Sequence, residues 1–153
     1  MDLIFWRHAE AEDWTEDCDD LQRCLTARGE KQAKRMAVWL DRQLPDGTRI
    51  VCSPARRCEQ TVVALGRKYK LRSELAPDTT TDALLSAAGW PNGRSTVLMV
   101  GHQPALGQAI SLLLGFRQES CVVRKGAVWW IRTRERDGDT QTVVVTVQAP
   151  EMV

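Results

Sequence analysis

Histidine is scarce in this sequence, at two residues in 153, and several other features are missing altogether. There is no excess of charge: 21 basic residues meet 20 acidic ones for a formal net charge of +1, so no global field recruits nucleic acid or an anionic membrane. No apolar stretch approaches the roughly 20 residues needed to span a bilayer. A basic segment followed by a long apolar one is also missing near the N-terminus, where Asp2, Arg7 and His8 interrupt the only hydrophobic run, so no secretory leader is expected. No Cys-x-x-Cys pair occurs. The five cysteines, Cys18, Cys24, Cys52, Cys58 and Cys121, are odd in number, which argues against a disulfide framework or a zinc cluster and fits a reducing cytoplasm. Internal repeats and low-complexity linkers are absent too. The expectation is a soluble, cytoplasmic, single domain over residues 1–153, long enough to bury about two thirds of the surface its unfolded form would expose.

What is present begins with Leu3-Ile4-Phe5-Trp6, four apolar residues that read as a short strand covered on both faces and that stop on Arg7-His8. Residues Glu10 to Asp20 then carry seven acids, Glu10, Glu12, Asp13, Glu16, Asp17, Asp19 and Asp20. A solvated loop is the simplest reading; beside a site, the same run would form a negative rim that disfavours small polyanions and favours a substrate presented on a protein surface. Thr26 can cap a helix over about 27–44, where Ala33, Met36, Ala37, Leu40 and Leu44 form one apolar stripe and Pro45-Asp46-Gly47 ends it. Trp39 lies beside the stripe as packing.

Ile50-Val51-Cys52 gives a second strand. Ser53 suits an N-cap and Pro54 the first helical position, which predicts a helix from there to about Tyr69 with Arg56 and Arg57 in its first turn. Cations there face the positive end of the helix dipole at a cost of a few tenths of a kcal/mol to about 1 kcal/mol, and an anion docked at the helix start would reverse the sign. Leu71 to Pro77 reads as extended and Thr81 to Ala88 as a short helix closed by Gly89 and Pro91. A strand over Thr96 to Val100 runs into Gly101-His102-Gln103-Pro104, and a helix follows from about Pro104 to Leu114. Ala127 to Thr133 and Thr142 to Gln148, joined through Asp137-Gly138, predict an antiparallel hairpin in which Trp129 and Trp130 face opposite sides.

Three junctions, Arg7-His8, Ser53 to Arg57, and Gly101-His102, thus place a cation or an imidazole just after a strand. If those strands are parallel, all three lie on one edge of the sheet, where α/β proteins bind ligands. The result is a pocket lined by Arg7, His8, Arg57 and His102, with helix N-termini as further donors, and such a pocket suits a phosphoryl group. A metal site is the competing use of two histidines. No Asp, Glu or Cys accompanies His102 nearby, and the arginines would repel a dication, so neither metal nor cofactor is expected. Without a metal, phosphoryl transfer would use nucleophilic catalysis: neutral His8 attacks phosphorus, water later hydrolyses the phosphohistidine, and Arg7, Arg57 and a cationic His102 hold the equatorial oxygens.

These residues resemble a known family. Arg7-His8-Ala9-Glu10-Ala11 is similar to the "RHG" signature of the histidine phosphatase, or phosphoglycerate mutase-like, superfamily. Leu25-Thr26-Ala27-Arg28-Gly29 with Gln32-Ala33, Ser53 through Arg57 to Gln60-Thr61, and Gly101-His102-Gln103-Pro104 are similar to its three further motifs, in the same order. The resemblance implies a three-layer α/β/α sandwich with a mostly parallel central sheet and an antiparallel C-terminal hairpin. It further implies His8 as the phosphorylated nucleophile, with Arg7, Arg57 and His102 binding phosphate.

Ala9 replaces the glycine usual in the signature, and only 44 residues separate Arg57 from His102, an interval that longer members use for a lid and a glutamate acid. Both features resemble the short bacterial phosphohistidine phosphatases, which implies an open site and, as partner, a phosphorylated protein such as a histidine-phosphotransfer domain in signal transduction. Asp78 and Glu10 are the candidate general acids, although a labile phosphoramidate can leave without one. The alternatives are a phosphatase of small phosphomonoesters or phosphoanhydrides, a mutase, and a non-catalytic module that binds phosphoproteins.

Overall fold

The computed structural model describes residues 1–153. Its centre is β1 (Asp2–Arg7), whose Leu3, Ile4, Phe5 and Trp6 are completely buried. Alternation along β1 divides those four between two apolar layers. Leu3 and Phe5 join Val51, Val97, Met99 and Ile131 against α3 (Thr81–Ala87) and α4 (Ala105–Leu114). Ile4 and Trp6 join Ile50, Leu98 and Val128 against α1 (Ala27–Gln43) and α2 (Arg56–Val63). Each such side chain contributes on the order of 1.5–3 kcal/mol by leaving water. Helices therefore cover both faces of one sheet, the three-layer arrangement expected.

The sheet also contains β2 (Arg49–Cys52), β3 (Lys70–Leu71), β4 (Val97–Gly101), β5 (Val128–Arg136) and β6 (Asp139–Gln148), in the order β3-β2-β4-β1-β5-β6. β3, β2, β4 and β1 are mutually parallel, while β5 runs antiparallel to β1 and β6 antiparallel to β5. β1, β2 and β4 consequently deliver their carboxyl ends to one edge. The hairpin turns through Asp137 at φ 53° and Gly138 at φ 83°, the positive pair that a tight two-residue turn between twisted strands requires. Trp129 packs on the α3/α4 side and Trp130 on the α1/α2 side.

Local sequence rules misplace two elements. Ser53 does not cap the helix after β2: α2 starts at Arg56 with Ala55 as its cap residue and ends at Val63, well before Tyr69. Ser53 Oγ accepts from Ala55 N–H at 3.2 Å, ahead of the helix, and contacts the His102 ring, while the N–H groups of Leu65 and Gly66 turn back onto the carbonyls of Val62 and Val63 to close the helix. Of the extended segment expected over Leu71 to Pro77, only Leu71 belongs to a strand, β3, which begins one residue earlier at Lys70; Ser73–Leu75 forms a 3₁₀ turn that drops Leu75 into the core. No helix is long and apolar enough to cross a membrane.

Candidate active site

The backbone at the end of β1 is held from both sides. His8 N–H donates to the Gly101 carbonyl at 3.1 Å, and the His8 carbonyl accepts from Gly126 N–H at 3.0 Å. Beyond it, the chain is pinned by motif residues that carry no chemistry of their own. Ala9 N–H donates to Thr61 Oγ1 at 3.1 Å, Glu10 N–H to Gln32 Oε1 at 2.9 Å, and Leu25 N–H to Gln60 Oε1 at 2.7 Å. The start of α1 lies so close to this segment that a Cβ at Gly29 would collide with the Glu10 carbonyl oxygen. Ala9 itself packs with Leu25 and Ala33, so the methyl group that departs from the usual glycine is filled space.

The His8 ring is 7% exposed, and its Nδ1 lies 2.8 Å from the Ala9 carbonyl oxygen. A carbonyl only accepts, so Nδ1 carries the proton and Nε2 keeps its lone pair. Burial, reinforced by Arg57, Arg7 and Arg23 and opposed by the Ala9 contact, lowers the pKa to about 4; the ring is neutral at pH 7. His102, 4% exposed, has the opposite tautomer. Arg57 Nη2 approaches its Nδ1 at 3.4 Å as a donor, which leaves the proton on Nε2 to donate to Ser53 Oγ at 2.7 Å. Burial, His8 and Arg57 lower the His102 pKa to about 3, with Asp20 opposing. The expected cationic His102 is therefore neutral in the protein alone, because no carboxylate sits against it to offset burial among cations. The two ring centres are 5.2 Å apart.

Around these rings lies a cavity of about 190 Å³ lined by Arg7, Arg23, Arg57 and Lys125, with Asp13, Gln103 and Pro77 at its wall. Arg7 Nη1 donates to the Val123 carbonyl at 2.8 Å, and Arg57 donates to the Asp20 carbonyl at 2.7 Å and to its carboxylate at 3.1 Å. The Nε atoms of Arg7 and Arg57 are buried without a hydrogen-bond partner, an unused donor capacity that folded proteins seldom leave. No group of three His, Cys, Asp or Glu side chains is arranged to hold a metal ion. What the arrangement can do is take up an anion of phosphoryl size beside a neutral imidazole nitrogen.

The structure thus brings together Arg7, His8, Arg57 and His102, as the strand ends suggest. It does not bring Glu10 or Asp78 to them: the Glu10 carboxylate accepts from Thr26 Oγ1 at 2.9 Å and lies 3.8 Å from Arg28, while Asp78 is exposed, and neither lines the cavity. Asp13 is the carboxylate that does. At the start of α4, two of the donors expected to be open are already used: the N–H groups of Leu106 and Gly107 donate to the His102 carbonyl and to Gln103 Oε1. Sequence reasoning missed Arg23, Lys125, Asp20 and the role of Ser53. The available signal for Arg23 was its position as the lone base between His8 and Arg28 in an otherwise acidic stretch.

Comparison with known proteins agrees with this geometry. Residues 3–84 match the Histidine phosphatase superfamily (branch 1). The chain is 31% identical over 121 residues to phosphohistidine phosphatase SixA of Escherichia coli (strain K12), covering 74% of each chain. It is 33% identical over 115 residues to a protein of Picosynechococcus sp., covering 71% of this chain and 70% of the relative. Among solved structures, the protein histidine phosphatase SixA complexed with tungstate superposes with a TM-score of 0.79 at 23% identity, covering 98% of this chain and 97% of the other, which shows a shared fold. By these sequence matches, the chain belongs to the histidine phosphatase superfamily and is a phosphatase of that family.

Proposed function

We propose that residues 1–153 act as one cytoplasmic, metal-independent phosphatase domain that removes phosphate from protein phosphohistidine, such as that of a histidine-phosphotransfer domain in signalling. The observation that carries this reading is the cavity: about 190 Å³, lined by four cations and a neutral imidazole with a free Nε2. Small-molecule sites usually enclose about 300–1,000 Å³, so this one accommodates a phosphoryl group and leaves the rest of the substrate outside. A side chain projecting from a protein surface meets that condition. The similarity to a named phosphohistidine phosphatase supports the same substrate class.

In the proposed reaction, His8 Nε2 attacks phosphorus, the N–P bond of the substrate breaks, and the departing imidazole nitrogen takes its proton from solvent. Water then attacks phospho-His8, releases inorganic phosphate and restores the neutral ring. Nδ1–H bonded to the Ala9 carbonyl keeps the ring oriented through both steps. Arg7 and Arg57 hold the transferring group, with His102 fixed against Arg57, and preorganised donors of the arginine kind are worth about 3 to 4 kcal/mol each.

The test is phosphate release from a phosphorylated histidine-phosphotransfer domain and from p-nitrophenyl phosphate, each with and without EDTA, by wild type and His8→Ala. Faster release from the protein, dependent on His8 and insensitive to EDTA, is the expected result. Faster release from the small ester establishes a general phosphatase instead, and phosphate binding with no turnover of either establishes a binding module.

A further inference from the structure

Asp20 belongs to the acidic run, yet it does not sit on a rim. Its Oδ1 accepts from Arg23 Nε at 2.9 Å, its Oδ2 accepts from Arg57 Nη2 at 3.1 Å, and its carbonyl accepts from Arg57 Nη1 at 2.7 Å. One residue therefore brackets two of the four cations that line the cavity. Arg57 is 3% exposed, so its charge is withdrawn from water and needs a counter-charge, whereas the Asp20 side chain is 39% exposed and can reach solvent. Asp19, its neighbour, does something local: its carboxylate accepts from Leu21 N–H and starts the 3₁₀ turn at Asp20–Gln22. The Arg23 guanidinium is fixed at its other end by the Glu12 carbonyl at 2.8 Å, so the bracket also closes the acidic loop over this side of the pocket.

We propose that Asp20 is a positioning residue that holds Arg57 and Arg23 side by side and takes up part of their charge, so that the pocket favours the transferring phosphoryl group over the phosphate product. The inference rests on the reading above that this cavity holds the phosphoryl group. With the carboxylate in place, the guanidinium groups are oriented and their mutual repulsion is relieved. Without it, donors on both are freed for any anion in the pocket, but their orientation toward the transition state is lost. Ground-state anion binding then strengthens while the chemical step weakens, the signature of a group that works on the difference between the two.

Asp20→Asn tests this directly, because an amide can accept from one arginine but not from both. The expected result is a fall in kcat of about 10-fold, short of the roughly 100-fold that losing an oxyanion donor costs. A lower inhibition constant for inorganic phosphate and a larger rise in Tm on adding phosphate should accompany it. Asp17→Asn, a change of the same charge at an exposed position on the loop, should alter neither. Asp20→Glu keeps the charge and should keep wild-type phosphate affinity, which leaves the comparison intact if the Asn variant folds poorly. Phosphate binding that is unchanged or weaker in Asp20→Asn would overturn the proposal while leaving the pocket assignment standing. A wild type that neither binds phosphate nor releases it from substrate would overturn both.

Discussion

His8 and His102 are buried to nearly the same degree, and burial is the largest cause of the low pKa of each, yet the two sides of the pocket prepare them for different work. On the β1 side, the Ala9 carbonyl takes the Nδ1 proton of His8 and leaves a lone pair on Nε2. On the β4 side, Ser53 takes the Nε2 proton of His102 and Arg57 faces its Nδ1. Desolvation makes both rings neutral; the hydrogen-bond partner decides which nitrogen remains available. One ring is thereby set up as a nucleophile and the other as a fixed neighbour of the arginine that meets the phosphoryl group.

The largest effect that would sharpen this contrast is in kcat. His8→Ala should lower it by at least about 10⁴-fold, as loss of a nucleophile does, whereas His102→Ala should cost about 10²-fold, as loss of a stabilising group does. Equal losses in a steady-state assay would erase the distinction.

Acid stability comes next. Both rings have pKa values below the ordinary 6.5, so between pH 6.5 and about 4 the unfolded chain binds protons that the folded chain refuses. Stability should fall as pH drops through that window, by at most about 1.4 kcal/mol per pH unit for each histidine. Urea unfolding at a series of pH values would show it, and His8→Asn should reduce the slope.

A smaller effect is expected at Ser53, where Ala removes the acceptor of His102 Nε2–H. The predicted change is about a 10-fold loss in kcat and about 1–3 kcal/mol of stability for the unpaired buried donor, with partial rescue by Thr. The ¹⁵N shifts of His102 should change while those of His8 stay put. The smallest effect is none: Glu10→Gln and Asp78→Asn should leave kcat on the protein substrate unaltered, since neither carboxylate lines the cavity.

The residues that were legible in the sequence are those whose placement is local. Arg7 ends a strand and His8, Arg57 and His102 each follow one within a few positions, so knowing that the strands are parallel suffices to gather them. Arg23 and Lys125 reach the same cavity only because irregular segments fold back over it. The Glu12 carbonyl and Asp20 hold Arg23, and the Val123 carbonyl ties the segment bearing Lys125 to Arg7. Such segments have no hydrophobic period to read. Ser53 failed differently, because a residue type that suits a helix cap found a stronger tertiary partner in His102. Glu10 lies only two residues beyond His8, but Thr26 and Arg28 draw its carboxylate away. For the fold, both faces of β1 are apolar, so its sequence shows a buried strand without showing which helices cover the Leu3/Phe5 face and which the Ile4/Trp6 face.

The most direct test of the account is to mix enzyme with excess phosphorylated protein substrate, stop the reaction within milliseconds in denaturing alkali, and locate the phosphoryl group by mass spectrometry and ³¹P NMR. Phosphate on Nε2 of His8, formed and lost at rates that match turnover, is the predicted result. Phosphate on His102, or release at the full rate with no phosphorylated His8, would contradict it.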